Sequence, residues 1–180
     1  YRERHYGAVI SAGTQIERLG TMSADLRYEQ ASVRNLSLAP VSEEDDKLFI
    51  VKVGTVIDTK NRSHFSTEGI GLLFSYEFAF PAFGGTTRYT SVSVSYESYS
   101  TIGGRFTFHP QFILGLAAKT MPLSQQFRMG GRRSFFGLRE DDRRGRQIVL
   151  AKAEFRYFLP VRILFDTYLH LRYDLGALEA

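Results

Sequence analysis

Gln147-Ile148-Val149-Leu150-Ala151-Lys152-Ala153-Glu154-Phe155-Arg156-Tyr157-Phe158-Leu159 is the stretch that decides the fold. Val149, Ala151, Ala153, Phe155, Tyr157 and Leu159 fall on one side of an extended chain, and Lys152, Glu154 and Arg156 on the other. Successive side chains of a strand point to opposite faces, so this segment has one greasy face and one charged face. The segment from Arg162 repeats the scheme: Ile163, Phe165, Leu169, Leu171, Tyr173 and Leu175 oppose Asp166, His170, Arg172 and Asp174. Between the two, Pro160-Val161 reads as a tight hairpin.

Outward from this pair the same alternation recurs in six earlier segments. Tyr6, Ala8, Ile10 and Ala12 share a face, as do Met22, Ala24, Leu26 and Tyr28, and then Phe49, Val51, Val53 and Ile57. Ile70 to Phe80, Val92 to Tyr96 and Phe106 to Leu116 follow. The reading is all-β, with about eight antiparallel strands, each covering the roughly 9–11 residues that a tilted strand needs to cross a bilayer. No helix is expected. The connections near 32–46, 81–87 and 120–146 alternate with those at Glu17–Gly20, Thr59–Glu68, Tyr99–Gly104 and Pro160-Val161. In a meander the two longest loops then share one end, the asymmetry of outer-membrane barrels, although the Thr59–Glu68 connection blunts it.

Composition narrows the alternatives. The chain has 180 residues, 43% of them hydrophobic and 23% charged, which excludes a disordered composition. It has no cysteine and no tryptophan, but 15 Phe and 10 Tyr. Disulfides and thiol chemistry are therefore excluded. No apolar run is long enough for a helical membrane span. The net charge of +4 is local, since seven arginines lie between Arg128 and Arg146. Without a binding motif, and with Glu140, Asp141 and Asp142 in the same window, no nucleic-acid partner is expected. The start at Tyr1-Arg2-Glu3 lacks an initiator Met, and the end at Ala177–Ala180 lacks a terminal aromatic, so residues 1–180 read as a fragment of a barrel domain.

Periodicity alone does not say whether the greasy rows meet lipid or a dry interior. A soluble lipocalin-like ligand-binding barrel suits the length, but that class usually carries an early Gly-x-Trp and a late helix, which this chain lacks. Rings near strand ends at Tyr6, Tyr28, Phe80, Tyr157 and Tyr173 favour membrane interfaces. A passive porin-like channel is the third alternative.

Four further features carry a resemblance. Asp58-Thr59-Lys60-Asn61-Arg62 with Phe65-Ser66-Thr67-Glu68-Gly69 resembles a family hairpin of the type Asp-Thr-Arg-Asp/Asn…Phe-Pro-Thr-x-Gly. Phe127-Arg128-Met129-Gly130-Gly131-Arg132-Arg133-Ser134-Phe135-Phe136-Gly137-Leu138 is similar to a large inward-folded loop, Phe-x-x-Gly-Gly-x-x-(Ser/Thr)-Val-Arg-Gly-Phe/Tyr. Glu154 and Arg156 close the polar face of the next strand, and Tyr173-Asp174-Leu175-Gly176 resembles Phe-x-Asp-x-Gly. These belong to the bacterial surface antigen superfamily (outer-membrane protein 85), the family of BamA, TamA and two-partner secretion transporters. The resemblance implies a place in a barrel of about sixteen strands, several missing before and about three after. Open edges would then be completed by further chain or by a second copy, a homo-oligomer. An eight-stranded barrel closed on itself is also allowed.

The implied function is protein translocation or insertion at a Gram-negative outer membrane, with a loop near 120–146 folded inward. Outer-membrane lipid and lipopolysaccharide, and polypeptide cargo or an attached domain, are the implied partners. Two positions depart from the pattern. Phe136 takes the place of the loop arginine, and Arg172 replaces the first aromatic of the last motif. Asp166 and Asp174 would then need another partner, such as Arg133 or Arg139. A loop without that arginine resembles the barrels fused behind patatin-like phospholipases.

The chain carries no constellation for covalent chemistry, and no cofactor is expected. Ser134 lies outside any nucleophile elbow, since Gly-x-Ser-x-Gly is absent. His5, His64, His109 and His170 lack metal-ligand spacing. Glu154 with Asp166 reads as part of an ionic lattice on a wet wall ahead of an acid/base pair. The candidate site is therefore the loop set Arg128, Gly130, Gly131, Arg133, Ser134, Phe135, Phe136, Gly137 and Arg139, facing a wall of Glu154, Arg156, Asp166, Arg172, Asp174 and Gly176. The glycines would let the loop bend at positive φ. The loop could pack as a plug against wall carboxylates, bind lipopolysaccharide phosphates, or stay solvated outside. Phe135-Phe136 favours the plug, because two adjacent exposed rings would be costly.

Overall fold

Strands β1 (Arg2–Ile16), β2 (Gly20–Arg34), β3 (Glu44–Asp58), β4 (Gly69–Ala79), β5 (Tyr89–Ile102) and β6 (Phe106–Ala117) follow one another along the chain. A short ribbon, β7 (Phe127–Met129) with β8 (Arg143–Gly145), precedes β9 (Gln147–Arg162) and β10 (Asp166–Glu179). This computed structural model describes residues 2–34, 44–132, 134–162 and 166–179. One antiparallel sheet holds eight strands in the order β1-β2-β3-β4-β5-β6-β9-β10, with β7 and β8 in a sheet of their own. The meander is the simplest way to pair strands that follow one another with short turns.

The greasy rows lie on the open side. Ile10 is 75% exposed and Leu171 67%, whereas Lys152 is 7% exposed and Arg156 8%. A water-soluble barrel has the opposite distribution, so the lipocalin-like alternative is set aside. The polar face is the covered one, because residues 118–146 pack across it. A flat sheet of eight strands would span about 34 Å, yet this one loop touches both β1 and β10, so the sheet is curled with its polar face inside.

Several boundaries differ from the sequence expectation. The connection expected near 32–46 is shorter, because β2 and β3 stay paired out to Val33↔Glu44. The acidic run Glu44-Asp45-Asp46 hides a strand, and the ladder with Ala31, Ser32 and Val33 overrides its low β propensity. Pro160-Val161 is not the hairpin. Both residues belong to β9, and the register shifts opposite them, from Asp166↔Arg162 to Tyr168↔Phe158. Proline has no N–H to give the ladder, so it sits in a bulge, and β9 runs on to Arg162 before β10 starts at Asp166. Ile163 and Phe165 lie outside the described residues. A 3-10 turn, Leu123–Gln125, follows Pro122 in the long loop.

Candidate functional site

The loop is anchored at several places along its length. In the ribbon, Arg128 faces Arg144 and Phe127 faces Gly145. Alternation sends both arginines to one side, where they converge on Glu3 of β1. Arg128 Nη2 donates to Glu3 Oε2 at 3.0 Å and Nη1 to Asp141 at 2.9 Å. Arg144 Nη1 and Nη2 donate to the two Glu3 oxygens at 3.0 and 2.8 Å, a fork-to-fork pair. Nearby, Gln125 bridges Glu29 (3.1 Å) and Arg27 (3.2 Å) of β2.

The opposite side of the ribbon is apolar. Phe127 and Met129 pack with Phe135 and Leu138 on Ile113, Ile148 and Leu150. Ile148 and Leu150 share the inner face with Lys152, Glu154 and Arg156, so this face of β9 is half apolar floor and half charged wall. The sequence reading missed the floor, although two apolar residues on the polar register were a readable signal. A second inner patch, Leu48, Ile50, Ala79 and Tyr89, seats Met121 at the loop's start.

The tip is fixed by close approach. At Gly130 (φ +134) a Cβ would lie 2.0 Å from the Arg139 carbonyl, which only glycine permits. Gly131 and Gly137 also have positive φ, and the Gly131 N–H donates to the Leu138 carbonyl at 3.1 Å. At Gly176 a Cβ would meet Leu150 at 2.3 Å and the Phe135 ring at 3.3 Å, so the wall is bare where the ring seats. The two rings part company: Phe135 packs, whereas Phe136 is 70% exposed. Phe136 stands at the turn with Gly137, which carries its ring away from the floor on which Phe135 packs.

Asp174 finds its partner on its own strand. Arg172 Nε and Nη2 donate to its two oxygens at 2.7 and 2.6 Å. Arg172 also donates to the carbonyls of Arg132 (2.6 Å) and Ser134 (3.3 Å), and the Phe136 N–H donates to Asp174 at 2.8 Å. Arg139, expected as a candidate partner, makes no ion pair among the described residues. Arg133 and the Asp166 side chain lie outside the described residues. Arg172 and Asp174 together thus meet the loop at the Arg132 and Ser134 carbonyls and the Phe136 N–H. The loop offers main-chain groups where a side chain was expected.

Below the floor, cross-strand register builds the charged wall. Gln111, Lys152 and Asp174 form one row, His109, Glu154 and Arg172 the next, and Thr107, Arg156 and His170 a third. Glu154 accepts from Arg156 Nε at 2.6 Å and lies 3.3 Å from His170 and 3.7 Å from His109. Its oxygens are thus taken up by one guanidinium and two imidazoles of the wall. Lys60, in the 59–68 connection, reaches Glu97 at 2.7 Å, and that carboxylate raises the Lys60 ammonium above its ordinary value.

The family profile of the Omp85 superfamily domain matches residues 1–179. The chain belongs to the Omp85 superfamily. Among solved structures it is similar to "The crystal structure of BamA from Haemophilus ducreyi lacking POTRA domains 1-3", with a TM-score of 0.82 at 16% identity. That match covers 98% of this chain and 42% of the BamA chain, so the chain spans well under half of that protein. No curated protein matches the chain. The Omp85 fold gives the two faces their environments: the exposed greasy rows meet outer-membrane lipid, and the polar face lines the lumen.

Proposed function

We propose that this Omp85 segment forms part of an outer-membrane barrel that moves or inserts polypeptide, with the 118–146 loop as its gate. One observation carries the reading: the loop is tied to both outermost strands of the sheet, to β1 through Glu3 and to β10 through Asp174, by polar contacts inside the lumen. Polar ties of this kind can be taken over by a passing chain, while the apolar floor keeps the rest of the loop seated. Phe136 in the place of the family's loop arginine favours the finer reading, a barrel that exports or anchors an attached patatin-like domain.

The cysteine-free sequence makes the test clean. In the full-length protein, Phe136→Cys and Asp174→Cys joined by a short bifunctional maleimide would fix the loop to the wall. Cross-linking should abolish export or insertion while heat-modifiable migration stays normal. Unchanged transport would remove the gate, and steady ion conductance without transport would favour a passive channel.

A further inference from the structure

Among the described residues, much of the lumenal wall pairs its charges. Arg27 and Lys52 share Glu77, Lys60 meets Glu97, and Arg128 and Arg144 meet Glu3. Between the charged half of β9, the 59–68 connection and the loop tip lies a cavity of about 650 Å³. Among the described residues Arg132, Lys152, Arg156 and Arg172 line it with one carboxylate, Glu154, and Arg172 is already held by Asp174 behind it. The Glu154 oxygens already serve Arg156, His109 and His170.

Arg156 gives the cavity direction. Its guanidinium is 5.6 Å from the Phe65 ring and 5.8 Å from the Tyr99 ring, which hold it in place from loop and wall. Nε is used by Glu154, but Nη1 is buried and has no hydrogen-bond partner among the described residues. A buried cationic donor without an acceptor is costly, and a planar oxyanion is the group that an arginine fork satisfies best.

We propose that this cavity is an oxyanion site that takes the carboxylate of an acidic side chain on a polypeptide in the lumen. It rests on the transport reading above. A lipid headgroup is disfavoured, because the cavity opens on the polar face and the sheet separates it from the lipid-facing rows. The excess of cations would also hold the site in a salt-dependent way.

The test is isothermal titration of the full-length protein in detergent micelles with a short peptide carrying four glutamates, its glutamine counterpart, and inorganic phosphate. The glutamate peptide should bind at least tenfold more tightly than the glutamine peptide. Arg156→Met should weaken it at least tenfold with heat-modifiable migration unchanged. Should Arg156→Met disturb assembly, Arg132→Gln on the loop serves instead, with a several-fold loss expected. Equal binding of both peptides, or binding indifferent to both variants, would overturn the site. Saturable phosphate binding without peptide binding would overturn the peptide assignment. Selective peptide binding in a barrel that transports nothing would sink the transport reading alone.

Discussion

The two halves of the inner face of β9 make opposite bargains with the same loop. Ile148 and Leu150 are covered by Phe127, Met129 and Phe135, so the loop is held there by close packing. Two residues further on, Lys152, Glu154 and Arg156 face a cavity and hold one another by charge. One strand thus grips the loop at one end and leaves a wet space at the other. Firmness comes from packing, and the capacity to respond comes from charges that water can replace.

The largest effect should come from taking away the shared carboxylate across the lumen. Glu3→Gln removes the carboxylate that Arg128 and Arg144 share, leaving Arg128 to Asp141 and the largely buried Arg144 without this charge partner, and breaking a buried pair in this way costs about 3–5 kcal/mol. Trypsin cleavage at Arg143-Arg144 in the micellar protein should rise by well over tenfold, and an unchanged rate would mean that the ribbon is held from the floor alone.

Next in size, Leu150→Ala removes the centre of the floor. Cavity formation at a residue 1% exposed costs about 2–5 kcal/mol, read as a lower temperature for loss of the heat-resistant gel form. A shift as small as that of an exposed site would deny the floor its role. Asp174→Asn should weaken the tip less, by about 1–2 kcal/mol, because the Asn carbonyl still accepts from the Phe136 N–H while Arg172 loses its charge partner. Its sign is a modest rise in cleavage at Arg143-Arg144. No rise would detach the tip from Asp174.

The smallest effect sharpens the contrast. Glu154→Gln touches neither the ribbon nor Phe135, so cleavage of the loop should change by no more than about twofold, as for sites without shared partners. A large increase would show that charged wall and apolar floor act as one unit.

The strands were legible because Lys152, Glu154 and Arg156 alternate with Ala153, Phe155 and Tyr157, and a period of two needs no tertiary knowledge. The floor was not, because Ile148 and Leu150 make sense on a polar face only once Phe127 and Met129 lie on it. Pro160 misled for a related reason: a proline between two strands signals a turn, and a bulge is visible only from the register of both. The glycines Gly130 and Gly176 were legible as glycines, but their neighbours, Arg139 and Phe135, were not. Glu3 gave no signal at all, being one acid on a strand far from the loop in sequence.

By itself the sequence determined the strands and their two faces, because alternation is a local property of the chain, while the membrane setting rested on the family resemblance and on which face the structure leaves open. Only the tertiary structure decided what the loop meets: Glu3 with Arg128 and Arg144, Asp174 with the Phe136 N–H, Arg172 with the Arg132 and Ser134 carbonyls, and Arg156 with a donor that no described residue takes. Those pairings depend on how far the sheet curls and where the loop lands, and neither is encoded within a single strand.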